Sequence, residues 1–136
     1  MTLTGRCYCG ALHYKATGDP VLKAQCHCRE CQYISGGGPN YFMMMPEDGF
    51  SYTSGMPGQF TRPDLDRAVT REFCPTCGTH IATRIPWRDY LVIKIGTLDD
   101  PATMYGAPAM AIFTCDAQPF HHISEGLPAF DRFLER

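Results

Sequence analysis

What the chain lacks narrows its class first. No apolar run approaches the roughly 20 residues that a bilayer-spanning helix needs; the longest, such as Tyr41 to Met45, end after a few positions. The opening Met1-Thr2-Leu3-Thr4-Gly5-Arg6 has no apolar segment of the kind a secretory leader carries, which points to the cytoplasm. Neither sign of charge is in excess. Twelve Lys and Arg stand against 14 Asp and Glu, for a formal net charge of −2. A nucleic-acid partner that needs a broad basic surface is therefore not expected. Internal repeats and linkers are missing too, and helical signals are few.

What is present suits one domain spanning 1–136. Residues are 44% hydrophobic and 19% charged, an ordinary globular balance. Pro and Gly are spread throughout and cut the chain into short runs, which predicts a mostly β fold of short strands joined by turns. Strand candidates are Leu12 to Ala16, Lys23 to Cys28, Tyr41 to Met45, Ala68 to Phe73, Thr79 to Ile85, Tyr90 to Ile95 and Ala111 to Cys115. Val92, Ile93 and Ile95 are β-branched, which favours a half-buried pleated surface. Three helical stretches are expected: one turn over Arg29 to Ile34, a capped start at Asp99-Asp100-Pro101, and a last short helix from Pro128 to Leu134. Met43-Met44-Met45 reads as core filling rather than a copper site, because consecutive strand residues face opposite ways. A short chain so rich in turns needs a staple beyond its core, and zinc can supply one.

Eight cysteines are the candidates for that staple. In a reducing compartment clustered cysteines bind metal more often than they form disulfides. Their spacing agrees: Cys7 and Cys9 form C-x-C, Cys26, Cys28 and Cys31 form C-x-C-x-x-C, Cys74 and Cys77 form C-x-x-C, and Cys115 stands alone. The two pairs sum to the four ligands of a closed structural zinc site. Gly10 and Gly78 follow the second thiol of each pair and let the backbone turn back toward the sulfurs. Cys26, Cys28 and Cys31 remain as three ligands of a second zinc. Its fourth position is either open for chemistry or closed by Cys115, His27, His80, His121 or His122. His27 lies between two ligands in an extended stretch, so its ring should point away from the ion. Cys115 reads as a small buried hydrophobe on a strand, spare to both sites.

Charge decides what an open trio would do. Three thiolates leave a Zn²⁺ centre at −1, which weakens its pull on a bound water relative to three neutral imidazoles. Such a centre accepts a thiol better than it makes hydroxide. Zinc holds a sulfur as thiolate at neutral pH although a free thiol has a pKa of about 8.5, and the thiolate is the nucleophile toward electrophilic carbon.

Five motifs then carry a resemblance. Gly5-Arg6-Cys7-Tyr8-Cys9-Gly10, Cys26-His27-Cys28-Arg29-Glu30-Cys31 with Gly36 after it, Phe73-Cys74-Pro75-Thr76-Cys77-Gly78-Thr79, Ile95-Gly96-Thr97-Leu98-Asp99-Asp100-Pro101 and Gly126-Leu127-Pro128-Ala129-Phe130 occur in this order. Together they resemble the glutathione-dependent formaldehyde-activating enzyme family, the Gfa or centromere-protein-V type zinc domain, from about Gly5 to Phe130. The resemblance implies a tent-like fold of packed antiparallel sheets. It implies structural zinc on Cys7, Cys9, Cys74 and Cys77 and catalytic zinc on Cys26, Cys28 and Cys31. The implied activity joins formaldehyde to glutathione to give S-hydroxymethylglutathione, formally a carbon–sulfur lyase reaction; a zinc-stabilised thiol- or protein-binding module is the alternative. The chain departs from the family pattern at Gln32, often basic, at Phe120, often Trp, and at Cys115. A glutathione pocket would want cations near the trio, for which Arg29, Arg62, Arg71, Arg84 and Arg88 are available, and Tyr33, Tyr41, Phe42 and Trp87 could line it.

Overall fold

A computed structural model of the chain, with residues 1–132 described, contains ten strands and two α-helices. In chain order the strands are β1 (Thr2–Arg6), β2 (His13–Thr17), β3 (Leu22–Cys26), β4 (Asn40–Pro46), β5 (Phe50–Ser54), β6 (Gly58–Thr61), β7 (Thr70–Phe73), β8 (His80–Arg84), β9 (Tyr90–Lys94) and β10 (Met110–Ile112). The helices are α1 (Arg29–Ser35) and α2 (Pro101–Met104). A three-stranded sheet runs β1-β2-β5 and a seven-stranded sheet runs β10-β3-β4-β9-β8-β7-β6. All pairs are antiparallel except β10 with β3, which is parallel. The mostly β architecture of packed sheets with short helices is thus as the sequence implies. Among the described residues no helix is long and apolar enough to cross a membrane.

The pleat of the large sheet explains its two cores. Side chains alternate between faces along a strand. On β4 and β9, Met43, Met45, Leu91 and Ile93 pack with Leu3, Tyr14, Ala16 and Phe50 of the small sheet. Their neighbours Phe42, Met44 and Val92 point the other way and pack with Ala24, Ile112 and the trio Cys26, Cys28 and Cys31. Both faces of these strands are buried, so the run reads as continuously apolar. The three consecutive methionines serve two cores at once.

Local rules place the helices. Asp100 accepts the Thr103 N–H at 3.3 Å and Pro101 holds the first helical position of α2. Two expectations fail. The strand expected to run through Cys115 stops at Ile112, because Phe113 turns the chain into a left-handed conformation (φ 54°). Thr114–Asp116 is a 3₁₀ turn and Cys115 is exposed, not a buried strand residue. The helix expected from Pro128 is absent over its described part. Ala129 pairs in parallel with Ala111, and the Ala111 N–H donates to the Pro128 carbonyl at 2.8 Å, so this backbone is spent on the sheet edge. Leu134 lies outside the described residues.

Gly5 is where β1 meets the segment after β9. It bridges to Leu98, and a Cβ there would lie 2.3 Å from the Tyr14 hydroxyl and 2.4 Å from the Thr97 carbonyl oxygen. The Tyr14 hydroxyl in turn bonds Thr97 Oγ1 at 2.8 Å, deep in the core. Gly5→Ala should destabilise the protein by roughly 1–3 kcal/mol, the usual cost of overpacking, seen as a lower urea midpoint at unchanged slope.

Candidate metal centres and the adjoining cavity

Cys7 and Cys9 follow β1, and Cys74 and Cys77 follow β7, so two turns 65 residues apart meet from the two sheets. A tetrahedron with metal–sulfur bonds of about 2.3 Å has edges of about 3.8 Å. The Cys7–Cys9 and Cys9–Cys74 sulfurs are each 3.7 Å apart, and all four thiols lie within 4.8 Å of one another. All eight cysteines are free thiols. The donor set and its size fit one tetrahedral ion and are too wide for disulfides.

The backbone supports those sulfurs. Leu12 N–H reaches Cys7 Sγ at 3.2 Å and Cys77 N–H reaches Cys74 Sγ at 3.5 Å. Gly10 and Gly78 take φ of 85° and 81°, the left-handed turn each knuckle requires. Thr79 joins the two knuckles: its hydroxyl accepts the Tyr8 N–H at 3.0 Å and lies 3.1 Å from Cys77 Sγ. Hydrogen bonding from Thr79 holds the Cys77 thiol down at about 5.

The second cluster is built from one short segment. Cys26 ends β3, Cys28 is the N-cap of α1, and Cys31 lies in its first turn, with its N–H donated to Cys28 Sγ at 3.3 Å. The three thiols lie within 4.8 Å of one another and all are buried. Hydrogen bonds to Cys28 and Cys31, followed by burial, push the Cys26 thiol far above the ordinary range. Three thiolates so close together require a cation between them. Among the described residues no fourth Cys, His, Asp or Glu joins the trio.

The candidate fourth ligands are placed elsewhere. His27 is fully buried and faces away: its Nδ1 is 2.9 Å from His121 Nδ1 and its Nε2 is 3.0 Å from Gln25 Nε2. His121 Nε2 lies 2.7 Å from the Gly37 carbonyl oxygen. His80 packs beside Phe73, His122 is exposed, and Cys115 Sγ lies 3.9 Å from Asp116 Oδ1. Gln32 is a buried brace, donating to the carbonyls of His27 at 2.8 Å and Asp116 at 2.9 Å. Phe120 is exposed and packs edge-on against His121.

The trio lines a cavity of about 280 Å³ against the pocket face of β7, β8 and β9. Phe42 and Trp87 line it, as do Arg62, Arg71 and Arg88; Tyr33, Tyr41, Arg29 and Arg84 do not. Arg29 lies over the Tyr33 ring and Arg84 pairs with Glu72 at 3.3 Å. Two further cations line the cavity. Arg67 lies over Trp87 at 4.1 Å, and Lys94 ends β9 with its ammonium buried. Burial pushes Lys94 down to about 8, against the attraction of Cys31. The signal for Lys94 was a charged residue closing the apolar run Tyr90 to Ile93. Glu30, the one acid among the lining residues, is paired with Arg62 at 3.5 Å and Arg71 at 3.3 Å.

Comparison with known proteins agrees with this architecture. The sequence model of a family described as "Glutathione-dependent formaldehyde-activating enzyme" matches residues 2–116. No curated protein matches the chain. A crystal structure of a Rhodobacter sphaeroides protein superposes with a TM-score of 0.59 at 15% identity, covering 71% of this chain and 88% of that one; the likeness is one of fold.

The two clusters should respond differently to loss of a thiol. Cys74→Ser should abolish the cooperative melt, because a four-ligand ion joining two sheets contributes folding free energy directly. Cys28→Ser should leave a folded chain with one ion fewer. Cys115→Ala should retain two ions per chain. Elemental analysis beside thermal melts checks all three; the reverse order of damage would reverse the assignment.

Proposed function

The chain belongs to the glutathione-dependent formaldehyde-activating enzyme family, and on that premise we propose that it is a zinc-dependent enzyme of carbon–sulfur lyase type. Its substrate is a small thiol adduct, with S-hydroxymethylglutathione, formed from glutathione and formaldehyde, as the leading case. The observation that carries this reading is the cysteine trio without a fourth side-chain ligand among the described residues, set in the wall of a cation-lined cavity.

Zinc on Cys26, Cys28 and Cys31 would supply a Lewis acid that holds a thiol as thiolate. A second zinc on Cys7, Cys9, Cys74 and Cys77 would be structural. In the synthetic direction the thiol sulfur bonds to the carbonyl carbon, and the thiol proton ends on the carbonyl oxygen; no oxidant or reductant is needed. The chain's own residues bind and orient. Arg67 and Arg88 offer donors to the carboxylates of a glutathione-like thiol, whereas Arg62 is already held by Asp64 at 2.6 Å and Glu30 at 3.5 Å. Phe42, Met44 and Val92 keep water from the buried side of the trio. The cavity lies near the lower edge of the roughly 300–1,000 Å³ of small-molecule sites, which suits a compact ligand.

Glutathione should bind the zinc-loaded protein with release of about one proton at neutral pH, and S-methylglutathione should bind far more weakly because it cannot become a thiolate. Calorimetry in two buffers of different ionisation enthalpy counts the proton. Cys26→Ser or Cys31→Ser should erase the difference between the two ligands and lower turnover by more than the roughly 10–100-fold typical of outer-shell changes. Equal binding of thiol and thioether would reject thiol activation. Thiol binding without turnover of the hydroxymethyl adduct would leave a binding module.

A further inference from the structure

Lys94 combines features that thiol coordination alone does not explain. The residue is 8% exposed, yet it lines the same cavity as the trio. An unpaired buried ammonium is costly, so its surroundings must offset the charge. Among the described residues its ammonium donates to a neutral hydroxyl, Thr83 Oγ1, at 3.0 Å. Arg71 Nη1 donates to that same oxygen at 3.4 Å. Register sets this up: Arg71 is directly opposite Thr83 on neighbouring strands, and Val92, opposite Thr83 on the other side, is two residues from Lys94 on the same face.

The three groups together present only donors. With both lone pairs of Thr83 Oγ1 engaged by cations, its own hydrogen remains to be donated. The Lys94 ammonium has three donors and spends one on Thr83, leaving two for a ligand. Glu30 pairs with Arg71 and Arg62, so it offsets the charge of Arg71 but not that of Lys94, with which it makes no ion pair. The trio attracts Lys94 electrostatically, with Cys31 foremost. Buried donors held in place beside a reacting centre complement an oxygen that gains negative charge, and in a dry site they act more strongly than in water.

We propose that Lys94, with Thr83 and flanked by Arg71, forms an oxygen-binding subsite beside the trio, which receives the oxygen on the carbon bonded to the substrate's sulfur. The subsite rests on the reading that the trio binds a thiol. Its ligand class is narrower than thiols in general: a unit in which sulfur and a negatively polarised oxygen share one carbon. A hydroxymethyl thioether has that unit, and so does a thiocarboxylate. Arg67 and Arg88, exposed residues that also line the cavity, are separate and would meet more distant carboxylates.

Thioacetate and ethanethiol are probes of nearly equal size, of which only the first carries the oxygen. Calorimetric titration of the zinc-loaded protein at one fixed pH gives the ratio of their affinities, and comparing ratios between variants cancels the difference in thiol acidity. Wild type should favour thioacetate, and Lys94→Met should cut that preference at least tenfold while both metal ions are retained. Lys94→Arg, which keeps a cation, should preserve part of it. An unchanged ratio in Lys94→Met would overturn the subsite. So would binding of neither probe to wild type. Loss of an ion in Lys94→Met would also overturn it, showing Lys94 to be only a counter-charge of the metal centre. Should Lys94→Met fail to fold, Thr83→Val decides: a threefold or larger fall in the ratio supports the subsite and no change rejects it. Failure of the lyase reading looks different, because the Lys94-dependent preference would then persist in a protein that turns over no hydroxymethyl adduct.

Discussion

A β-strand shows successive side chains to opposite faces, and in this protein β4 and β9 must be dry on both. Everything else is arranged around that constraint. One face of the large sheet meets the small sheet over Met43, Met45, Leu91 and Ile93, and the four-thiol cluster lies at the edge of that core, with Cys7 and Cys74 buried in it. The other face, over Phe42, Met44 and Val92, packs with Ala24, Ile112 and the cysteine trio rather than with the small sheet. The trio at the start of α1 packs on it, the loops that carry Arg67 and Trp87 line the space beside it, and the cavity is what those elements leave. A single pleat thus separates a cluster suited to holding the chain together from one suited to meeting a ligand.

The two clusters differ in how their ligands are delivered. The four-thiol set draws on two distant turns, so an ion there would close a long loop and join two sheets, a geometry in which binding and folding are the same event. The trio draws on six consecutive residues, positioned by the end of β3 and the first turn of α1. Its geometry depends on that local turn and on Gln32, which ties the segment to the carbonyls of His27 and Asp116. Losing the ion from such a local site need not separate the sheets.

Charge is distributed as unevenly as the thiols. The whole chain carries a formal charge of −2, yet five of its 12 Lys and Arg line one cavity with Glu30 as the single acid among the lining residues. Cations gathered in a cleft with apolar walls focus their field on what enters it. On the proposed reading, an anionic thiol would meet repulsion from the thiolates of a metal-loaded trio, and these cations would offset it.

The cysteines were legible in the sequence because chelation is a local demand: C-x-C, C-x-C-x-x-C and C-x-x-C each place thiols within one turn, and the glycines after Cys9 and Cys77 mark where the backbone must reverse. Seven of the strands were legible from apolar runs between turn residues. β1, β5 and β6 were not, since Leu3 and Phe50 are their only deeply buried large apolar residues and β6 has none. The turn at Phe113 and the pairing of Ala129 with Ala111 were hidden for a related reason: backbone hydrogen bonds between distant segments leave no pattern in side-chain type. The sequence by itself therefore determined which residues can hold metal and that the fold is built from short strands. Only the tertiary structure decided that His27, His80, His121, His122 and Cys115 stay out of the trio, and that Arg71, Thr83 and Lys94 converge beside it. That convergence depends on strand register, and register is set by how buried faces pack across the sheet rather than by any spacing along the chain.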